Sequence, residues 1–349
     1  MSYFSRFKSQ HNYRAWNWDY KRGKKLGRTE EKTRYCIEAG VLAANIHNTQ
    51  PWEFKVSSNE IKLNPKWEYH LHEADPSGRN LLITLGCCIT NIEVAAAYCR
   101  YRSQIKINGA DIKHTSVRIV LQKNTPDKNL EDLCKHVVRR YSNKYPYEPI
   151  PISENKLMKL RCLKINEAVI ELSHDQTVKK ISAELTAAAI KVLAKQSFFA
   201  KELSTWLRPT NTKEFDGMPG FVAGLSTAQT IIGRVFFKYF PASLAILAIK
   251  DKKLILSSPV VGVITTKGIS PTDFVNAGRL YQLMALTGTS LNIHTTIMHA
   301  VTENQITKEK LTHLFKVKKG ENIQLFFRLG YSKVAEYHTP RRPLSFFLK

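Results

Sequence analysis

The sequence predicts an α+β fold in which two successive sets of helices and strands form two halves. In the first set, a helical segment from about Glu30 to Asn45 precedes PWEFKV and EIKLNP, whose apolar and polar residues alternate as in a hairpin. In the second set, a new helical segment begins near Glu154 and ends near Cys162. At 349 residues, the chain is long enough for two such halves.

Each half also contains segments apolar enough to form a core. RNLLITLGCCITNIEVAAAYCRY follows the turn EADPSG and predicts a long buried helix, because most of its surface is apolar. SVRIVLQ predicts a strand, and NLEDLCKHVVRRYS a helix that ends near Arg139. In the second half, EAVIELS, SPVVGVITT and NIQLFFRLGY predict strands, whereas the segment Thr177 to Lys195 and PTDFVNAGRLYQLMALTG predict helices. We therefore divide the chain into a basic N-terminal arm (1–29), a first half (30–130) and a second half (131–349).

The charge is the unusual feature of the composition. Hydrophobic residues at 43% and charged residues at 23% are typical of a soluble globular protein, but the formal net charge is +24. This charge favours an anionic partner such as a phosphorylated cofactor, a nucleic acid or an acidic membrane surface; a basic surface without a function is the alternative. Outside the arm the sequence has no interleaved aromatic motif of the kind that binds nucleic acid, so we expect no specific nucleic acid and only weak association with acidic surfaces.

The cysteines and the N-terminus indicate a cytoplasmic protein. The six cysteines lie between Cys36 and Cys162 without a Cys-x-x-Cys pair, which predicts reduced, packed thiols. The N-terminal arm lacks the apolar core of a signal peptide, and its tryptophans either lie on an acidic surface or dock on the fold. TIIGRVFFKYFPASLAILAI contains Arg234, Lys238 and Pro241, which predicts a buried helix or a lid helix rather than a transmembrane one.

Two short motifs carry the functional information. HNTQPWEF places Asn48, Thr49 and Gln50 before a Pro-Trp pair, at the point where a helix is replaced by a strand. RYSNK, from Arg140 to Lys144, has two cations and a hydroxyl at alternating positions, which would converge on one side of an extended segment. That arrangement suits a phosphate, although such triplets also occur on solvated surfaces.

Together these motifs resemble those of the FMN-dependent nitroreductases, which carry Arg-x-Ser-x-Arg/Lys and Pro-Ser-x-x-Asn-x-Gln-Pro-Trp. Here Ala44 and Asn45 stand in place of the Pro and Ser. ADPSGRNLLITLG, RRYSNKYPY, DGMPG, FVNAGRLYQLMALTG and TPRRPL follow in an order similar to the Acg-like branch. The resemblance extends from about Glu30 to Leu344 and implies a nitroreductase-like fold.

The order of the two motifs is the reverse of that in ordinary nitroreductases. There each subunit carries both motifs, and the flavin lies at the dimer interface between the motifs of different subunits. Here NTQPW lies only in the first half and RYSNK only at the start of the second. The resemblance therefore implies an internal duplication: two fused nitroreductase-like halves, a monomer that mimics a homodimer, one complete flavin site, and a lid at about 208–246.

The resemblance also implies roles for individual residues. Asn48 and Gln50 would meet the pyrimidine edge of the flavin, because their amides both donate and accept. A backbone amide near Ile297 and Met298 would face the flavin N5. The remaining residues implied to bind FMN are Asn45 and Ile46 along the ring, and Arg140, Ser142, Lys144, Arg341 and Arg342 around the phosphate and ribityl chain.

Several of these residues have plainer interpretations. Arg341 and Arg342 could belong to a frayed basic tail, and Trp52 is expected to be a core anchor rather than a stacking partner. His294 and His299 either face substrate or make structural hydrogen bonds. His70 and His72 share a strand face but have no third ligand nearby, so we expect no metal site.

The leading hypothesis is an oxidoreductase in which NAD(P)H delivers hydride to FMN, which reduces a nitroaromatic, a quinone or a similar acceptor. No catalytic side chain is required, and without a GxGxxG or Walker loop the nicotinamide would visit as a substrate. The alternative is a non-catalytic protein that sequesters FMN beneath its lid. A nucleic-acid-binding or membrane-surface protein is the third hypothesis.

Overall fold

Two antiparallel sheets, one from each part of the chain, flank a pair of long buried helices. The computed structural model describes residues 10–334 and 336–349, so residues 1–9 of the predicted arm lie outside the described part. The mixture of helices and antiparallel sheets confirms the α+β prediction.

The first sheet is built from residues 52–123. Its four strands are antiparallel in the order β1-β2-β4-β3. The predicted helix at 79–101 is three residues too long, because Arg100 adopts a positive φ of 62° and Tyr101 begins a strand. The elements are α1 (Thr29–Gly40), β1 (Trp52–Ser57), β2 (Glu60–Pro65), α2 (Arg79–Tyr98), β3 (Tyr101–Asn108), β4 (Ser116–Lys123) and α3 (Lys128–Leu133).

The second sheet is built from residues 164–330 and has five antiparallel strands in the order β10-β11-β9-β6-β5. The strands are β5 (Lys164–Ile165), β6 (Ala168–Ser173), β9 (Val260–Thr266), β10 (His294–Ile297) and β11 (Asn322–Gly330), besides a separate parallel pair, β7 (Leu207–Arg208) and β8 (Met218–Pro219). The helices are α4 (Glu154–Arg161), α5 (Gln176–Leu193), α6 (Ser197–Trp206), α7 (Thr227–Tyr239), α8 (Ala245–Leu256), α9 (Pro271–Ser290), α10 (Ala300–Glu303) and α11 (Gln305–Leu314).

Helices α2 and α9 pack against each other at the centre of the molecule, and each also packs on the sheet of its own half. A Cβ on Gly86 would lie 2.1 Å from Val275 O, and one on Gly278 only 1.8 Å from Ile83 O. The two glycines thus allow the backbones to approach closely. In the described part of the chain, α2 alone is long and apolar enough to cross a bilayer, and 89% of its most apolar stretch is buried inside the fold.

The C-terminal segment after β11 returns to the first half. Phe54 N donates to Phe347 O (2.8 Å), and Lys349 N donates to Phe54 O (2.9 Å), so the last residues pair with β1. This return carries residues 337–342 past the loop that follows α1. Arg341 and Arg342 are both buried, so the alternative interpretation of a frayed basic tail is wrong.

Trp52, the end of α1 and the cysteines also test the expectations from the sequence. Trp52 is fully buried, which confirms its interpretation as a core anchor. Helix α1 ends at Gly40 rather than near Asn45, because the chain turns from Val41 onwards. Cys162 is exposed just after α4, so the prediction of packed thiols was wrong for this residue, while the other five cysteines are buried.

Candidate functional site

A cavity of about 130 Å³ lies where the loop after α1, the segment 140–144, the end of β10 and the C-terminal segment meet. Its wall thus combines residues that are up to about 300 positions apart in the chain. Eight of the eleven predicted cofactor-binding residues line it: Asn45, Ile46, Asn48, Arg140, Ser142, Lys144, Ile297 and Arg341.

The loop from Asn45 to Gln50 has an unusual backbone. His47, Asn48 and Gln50 have φ values of 47°, 58° and 55°, in the left-handed region that non-glycine residues rarely adopt. Each such residue costs about 1 kcal/mol, so other contacts must hold the loop. One of them is internal, because Gln50 N donates to Asn45 Oδ1 at 2.9 Å.

The side-chain amides of Asn48 and Gln50 are bonded to the protein. Asn48 Nδ2 donates to Gly217 O (3.1 Å) and Pro340 O (2.9 Å). Gln50 Nε2 donates to Phe215 O (2.8 Å), and Gln50 Oε1 accepts from Arg342 N (2.9 Å). These amides therefore fix the loop to the C-terminal segment and to the chain around residue 216. Gln50 lies outside the cavity wall.

The segment from Arg140 to Lys144 is held against the second sheet. Ser142 forms an isolated bridge with Thr295 in β10, which makes this segment run beside the edge of the sheet. Tyr337 fixes it from the other side, because its hydroxyl donates to Ser142 O (2.8 Å) and accepts from Lys144 N (2.9 Å). The cations of the motif are thereby placed at the cavity wall.

The charge around this cavity is positive. Arg140 is buried and donates from Nη2 to Leu42 O (3.1 Å), but its Nε has no partner within the described residues. Burial lowers the pKa of Lys144, and the charge of the buried Asp251 acts in the opposite direction. The Lys144 ammonium forms no hydrogen bond with any described residue. No Asp or Glu belongs to the cavity wall as described. Because buried cations need a counter-charge, this wall suits an anion that accepts hydrogen bonds.

Arg341 and Arg342 differ in position. Arg341 lines the cavity and donates to Val41 O (2.9 Å), and its guanidinium lies over the ring of Trp16 at 4.8 Å. Arg342 lies outside the wall, because its guanidinium pairs with Asp216 and donates to Thr49 O (2.6 Å). The structure therefore places only Arg341 beside Arg140 and Lys144.

A second cavity of about 540 Å³ adjoins the first and shares eight wall residues with it, Lys144 and Ile297 among them. Its wall is mainly apolar and includes residues of helices α6, α7 and α8, of which α7 lies within the predicted lid at 208–246. Met298 lines this larger cavity, but its backbone N–H donates to Phe326 O (2.9 Å). Lys250, Arg328 and Asp251 also lie in its wall.

Several wall residues were missed by the sequence analysis. Trp16, in the predicted arm, stacks on His338 with ring centroids 3.8 Å apart and donates from Nε1 to Thr339 O (2.8 Å). Its proximity to TPRRPL was not visible in the sequence because 323 positions separate the bonded residues. His47 also lines both cavities, and burial, followed by the charge of Lys144, lowers its pKa to about 3.

The four histidines singled out in the sequence lie in two different places. His299 lines both cavities, and burial lowers its pKa well below the usual value, whereas His294 packs against the Tyr141 ring at 4.5 Å. His70 and His72 lie side by side, with their Nδ1 atoms 3.2 Å apart. Within residues 10–334 and 336–349, no three ligand-type side chains come together as they would around a metal ion.

The chain is similar in sequence to two proteins from Mycobacterium tuberculosis, strains CDC 1551 / Oshkosh and ATCC 25618 / H37Rv, that are named as candidate NAD(P)H nitroreductases. Each match has 26% identity over 199 residues, which are 56% of this chain and 54% of the relative. The chain thus spans about half the length of the curated relatives it matches. No family model matches the sequence.

Solved structures with a similar arrangement include nitroreductases. A nitroreductase with bound FMN from Desulfitobacterium hafniense DCB-2 superposes with a TM-score of 0.40 at 14% identity, over 63% of this chain and 97% of that one. The FMN- and NADPH-dependent nitroreductase NfnB from Sphigopyxis sp. strain HMH gives a TM-score of 0.41 at 10% identity, over 62% and 97%.

Proposed function

We propose that the protein is an FMN-binding oxidoreductase of the nitroreductase type. The observation that carries the proposal is the positive cavity in which Arg140, Lys144 and Arg341 meet the loop at Asn45 to Asn48. The sequence similarity to candidate NAD(P)H nitroreductases supports it. In this proposal, the two sheets and the central pair α2 and α9 belong to two fused nitroreductase-like halves of the Acg-like kind, which together mimic a homodimer.

The wall residues fit a phosphorylated cofactor. The unpartnered Arg140 Nε and the Lys144 ammonium would hold the phosphate, and the Ser142 hydroxyl would add one directed hydrogen bond. Arg341 adds positive charge at the same wall. Burial lowers the pKa of Lys144, and an anion beside its ammonium would favour the charged form.

The loop and the larger cavity would receive the rest of the cofactor and the substrates. Asn45 and Asn48 line the smaller cavity, whereas Ile46 and Ile297 line both cavities, so the flavin ring would lie where the two cavities adjoin. When bound there, FMN would supply the redox chemistry, the transfer of hydride from NAD(P)H and of electrons to a nitroaromatic, a quinone or a similar acceptor. The mainly apolar wall of the larger cavity would exclude water around those substrates.

The absorption spectrum of the purified protein and the identity of the released cofactor test the proposal. We expect about one FMN per chain, and we expect NADH or NADPH to bleach its visible band under anaerobic conditions. A subsequent addition of a nitroaromatic or a quinone would restore the colour.

The two parts of the proposal fail in different ways. Protein that is colourless and binds no added FMN would contradict the cofactor assignment. Protein that holds FMN but is bleached by neither NADH nor NADPH would contradict the proposed reductase activity. It would support the alternative in which helices α6, α7 and α8 sequester the flavin.

A further inference from the structure

Helices α7 and α8 expose many apolar side chains to solvent. On α7, the exposed side chains repeat at helical spacing, and Thr230 is its one fully buried residue. Ile232 keeps 57% of its surface exposed, Phe240 60%, and Ile246 63%. We call the lid face the set of exposed residues Ile231, Ile232, Val235, Phe236, Tyr239 and Phe240, with Ile246 and Ile249 on α8.

This exposure is not typical of a helix that merely covers a core. Single apolar residues are common on protein surfaces, but a group of eight on α7, on the Phe240 that follows it and on α8 is typical of an interaction site. The opposite side of the same helices is already used, since Phe237 and Leu247 pack in an apolar cluster with α6. Helices α7 and α8 therefore have apolar residues packed against the fold and further apolar residues, the lid face, exposed to solvent.

The charged residues within the segment that carries the lid face are all basic. From residue 217 to residue 250 the sequence contains no Asp or Glu, whereas Arg234 and Lys238 are exposed on α7 beside the apolar residues. The whole chain carries a formal net charge of +24. A surface that combines bulky apolar side chains with bordering cations is typical of helices that lie in the interface of a bilayer.

We propose that the lid face docks on the surface of an anionic lipid bilayer. Its apolar side chains would enter the boundary between headgroups and acyl chains, and Arg234 and Lys238 would remain at the level of the lipid phosphates. A second copy of the chain is a poorer occupant, because two lid faces would bring together cations of the same sign with no carboxylate between residues 217 and 250 to offset them.

The docking would place the larger cavity close to the lipid. Phe237 and Leu247 line that cavity, and so do two residues of the lid face, Phe236 and Ile246. An apolar compound dissolved in the bilayer would then be separated from the cavity by one layer of helices. The docking itself requires no flavin and stands apart from the proposed reductase activity.

Sedimentation with vesicles tests the proposal. The full chain is mixed with vesicles of phosphatidylglycerol and phosphatidylcholine, or of phosphatidylcholine alone, at physiological salt. We expect binding to the anionic vesicles and at least about tenfold weaker binding to the neutral ones. The double variant Ile232→Ser, Phe240→Ser should bind the anionic vesicles at least about tenfold less, since it removes two large apolar side chains.

A matched variant shows whether the position matters. Ile269→Ser with Ile306→Ser removes two side chains that are 66% and 64% exposed elsewhere on the surface, and should bind like the wild type. The charge contribution is tested by Arg234→Gln with Lys238→Gln, which should weaken binding, against Lys318→Gln with Lys319→Gln, which should not. Circular dichroism confirms that each variant is folded.

Three outcomes would overturn the proposal. The first is no binding to anionic vesicles. The second is binding that the lid variants do not weaken, or that the matched variants weaken equally, because the basic surface or the N-terminal arm would then be responsible. The third is a dimer in sedimentation velocity that the Ile232→Ser, Phe240→Ser variant abolishes, which would make the lid face an interface between copies of this chain.

Discussion

The loop from Asn45 to Gln50 and the segment from Arg140 to Lys144 line the same cavity, but their polar groups are partnered differently. In the loop, the amides of Asn48 and Gln50 bond to the chain around residue 216 and to the C-terminal segment. In the segment, Arg140 Nε has no partner among the described residues, and the Lys144 ammonium has no hydrogen-bond acceptor there, only the charge of Asp251 nearby. The loop therefore stabilises the wall, whereas the segment offers its charge to a ligand.

The largest effect is expected when these two cations are removed. Arg140→Ala combined with Lys144→Ala should weaken FMN binding roughly a thousandfold, because two charge-assisted hydrogen bonds to the phosphate are lost. The measurement is the FMN content per chain after purification, followed by titration with added FMN.

Two controls accompany this double variant. Lys135→Ala with Arg139→Ala removes the same charge at exposed positions just before the motif, and should retain FMN. Cys87→Ser alters the cavity wall without a charge, since burial raises the pKa of this thiol to about 12, and should stay yellow. A full complement of FMN in the double variant would show that the cations of this segment do not bind the cofactor.

A smaller effect is expected from His47, which couples the loop to Lys144. Its folded-state pKa is about 3, below the ordinary 6.5, so between these values the unfolded chain binds a proton that the folded chain does not. Stability from this group is therefore lost as the pH falls through this window. The wild type should lose about 3 kcal/mol from this residue between about pH 7.5 and about pH 4.5.

Urea unfolding of the wild type and of His47→Asn at both pH values measures this contribution. Asparagine tolerates the left-handed backbone at this position and does not titrate. The variant should therefore lose less stability than the wild type on acidification. Equal losses in the two proteins would show that the His47 ring is not held neutral by its surroundings.

The smallest of the three effects is expected from Gln50, which belongs to the loop and not to the segment from Arg140 to Lys144. Gln50→Ala should lower the free energy of unfolding by about 2 kcal/mol, because it leaves Arg342 N and Phe215 O without their partner. Since Gln50 lies outside the cavity wall, FMN affinity should change less than about threefold.

The control for this variant is Gln122→Ala, at an exposed amide on β4, which should change neither stability nor affinity. Loss of FMN from Gln50→Ala at unchanged stability would mean that Gln50 contacts the flavin ring, as the sequence motif predicts. The loop would then contribute to binding in the same way as the segment.

Much of the fold was accessible from the sequence where apolar patterns were strong. The predicted helices near α2, α4, α5 and α9 and the strands β4, β6, β9 and β11 are present. Strand β3 was missed because its start adjoins an apolar helix, and the turn depends on the positive φ of Arg100. The short strand β10 was missed because four residues give too weak an alternation to be recognised.

The sequence determined which residue types were available for a site: two cations and a hydroxyl in RYSNK, amides in NTQPW, and a second pair of arginines in TPRRPL. Which of these side chains lie at the cavity depends on the tertiary structure. The returning C-terminal segment placed Arg341 at the cavity and Arg342 on Asp216, although the two are adjacent in the chain. The physical reason is that the partners of a buried side chain depend on contacts between residues hundreds of positions apart, which local patterns do not encode.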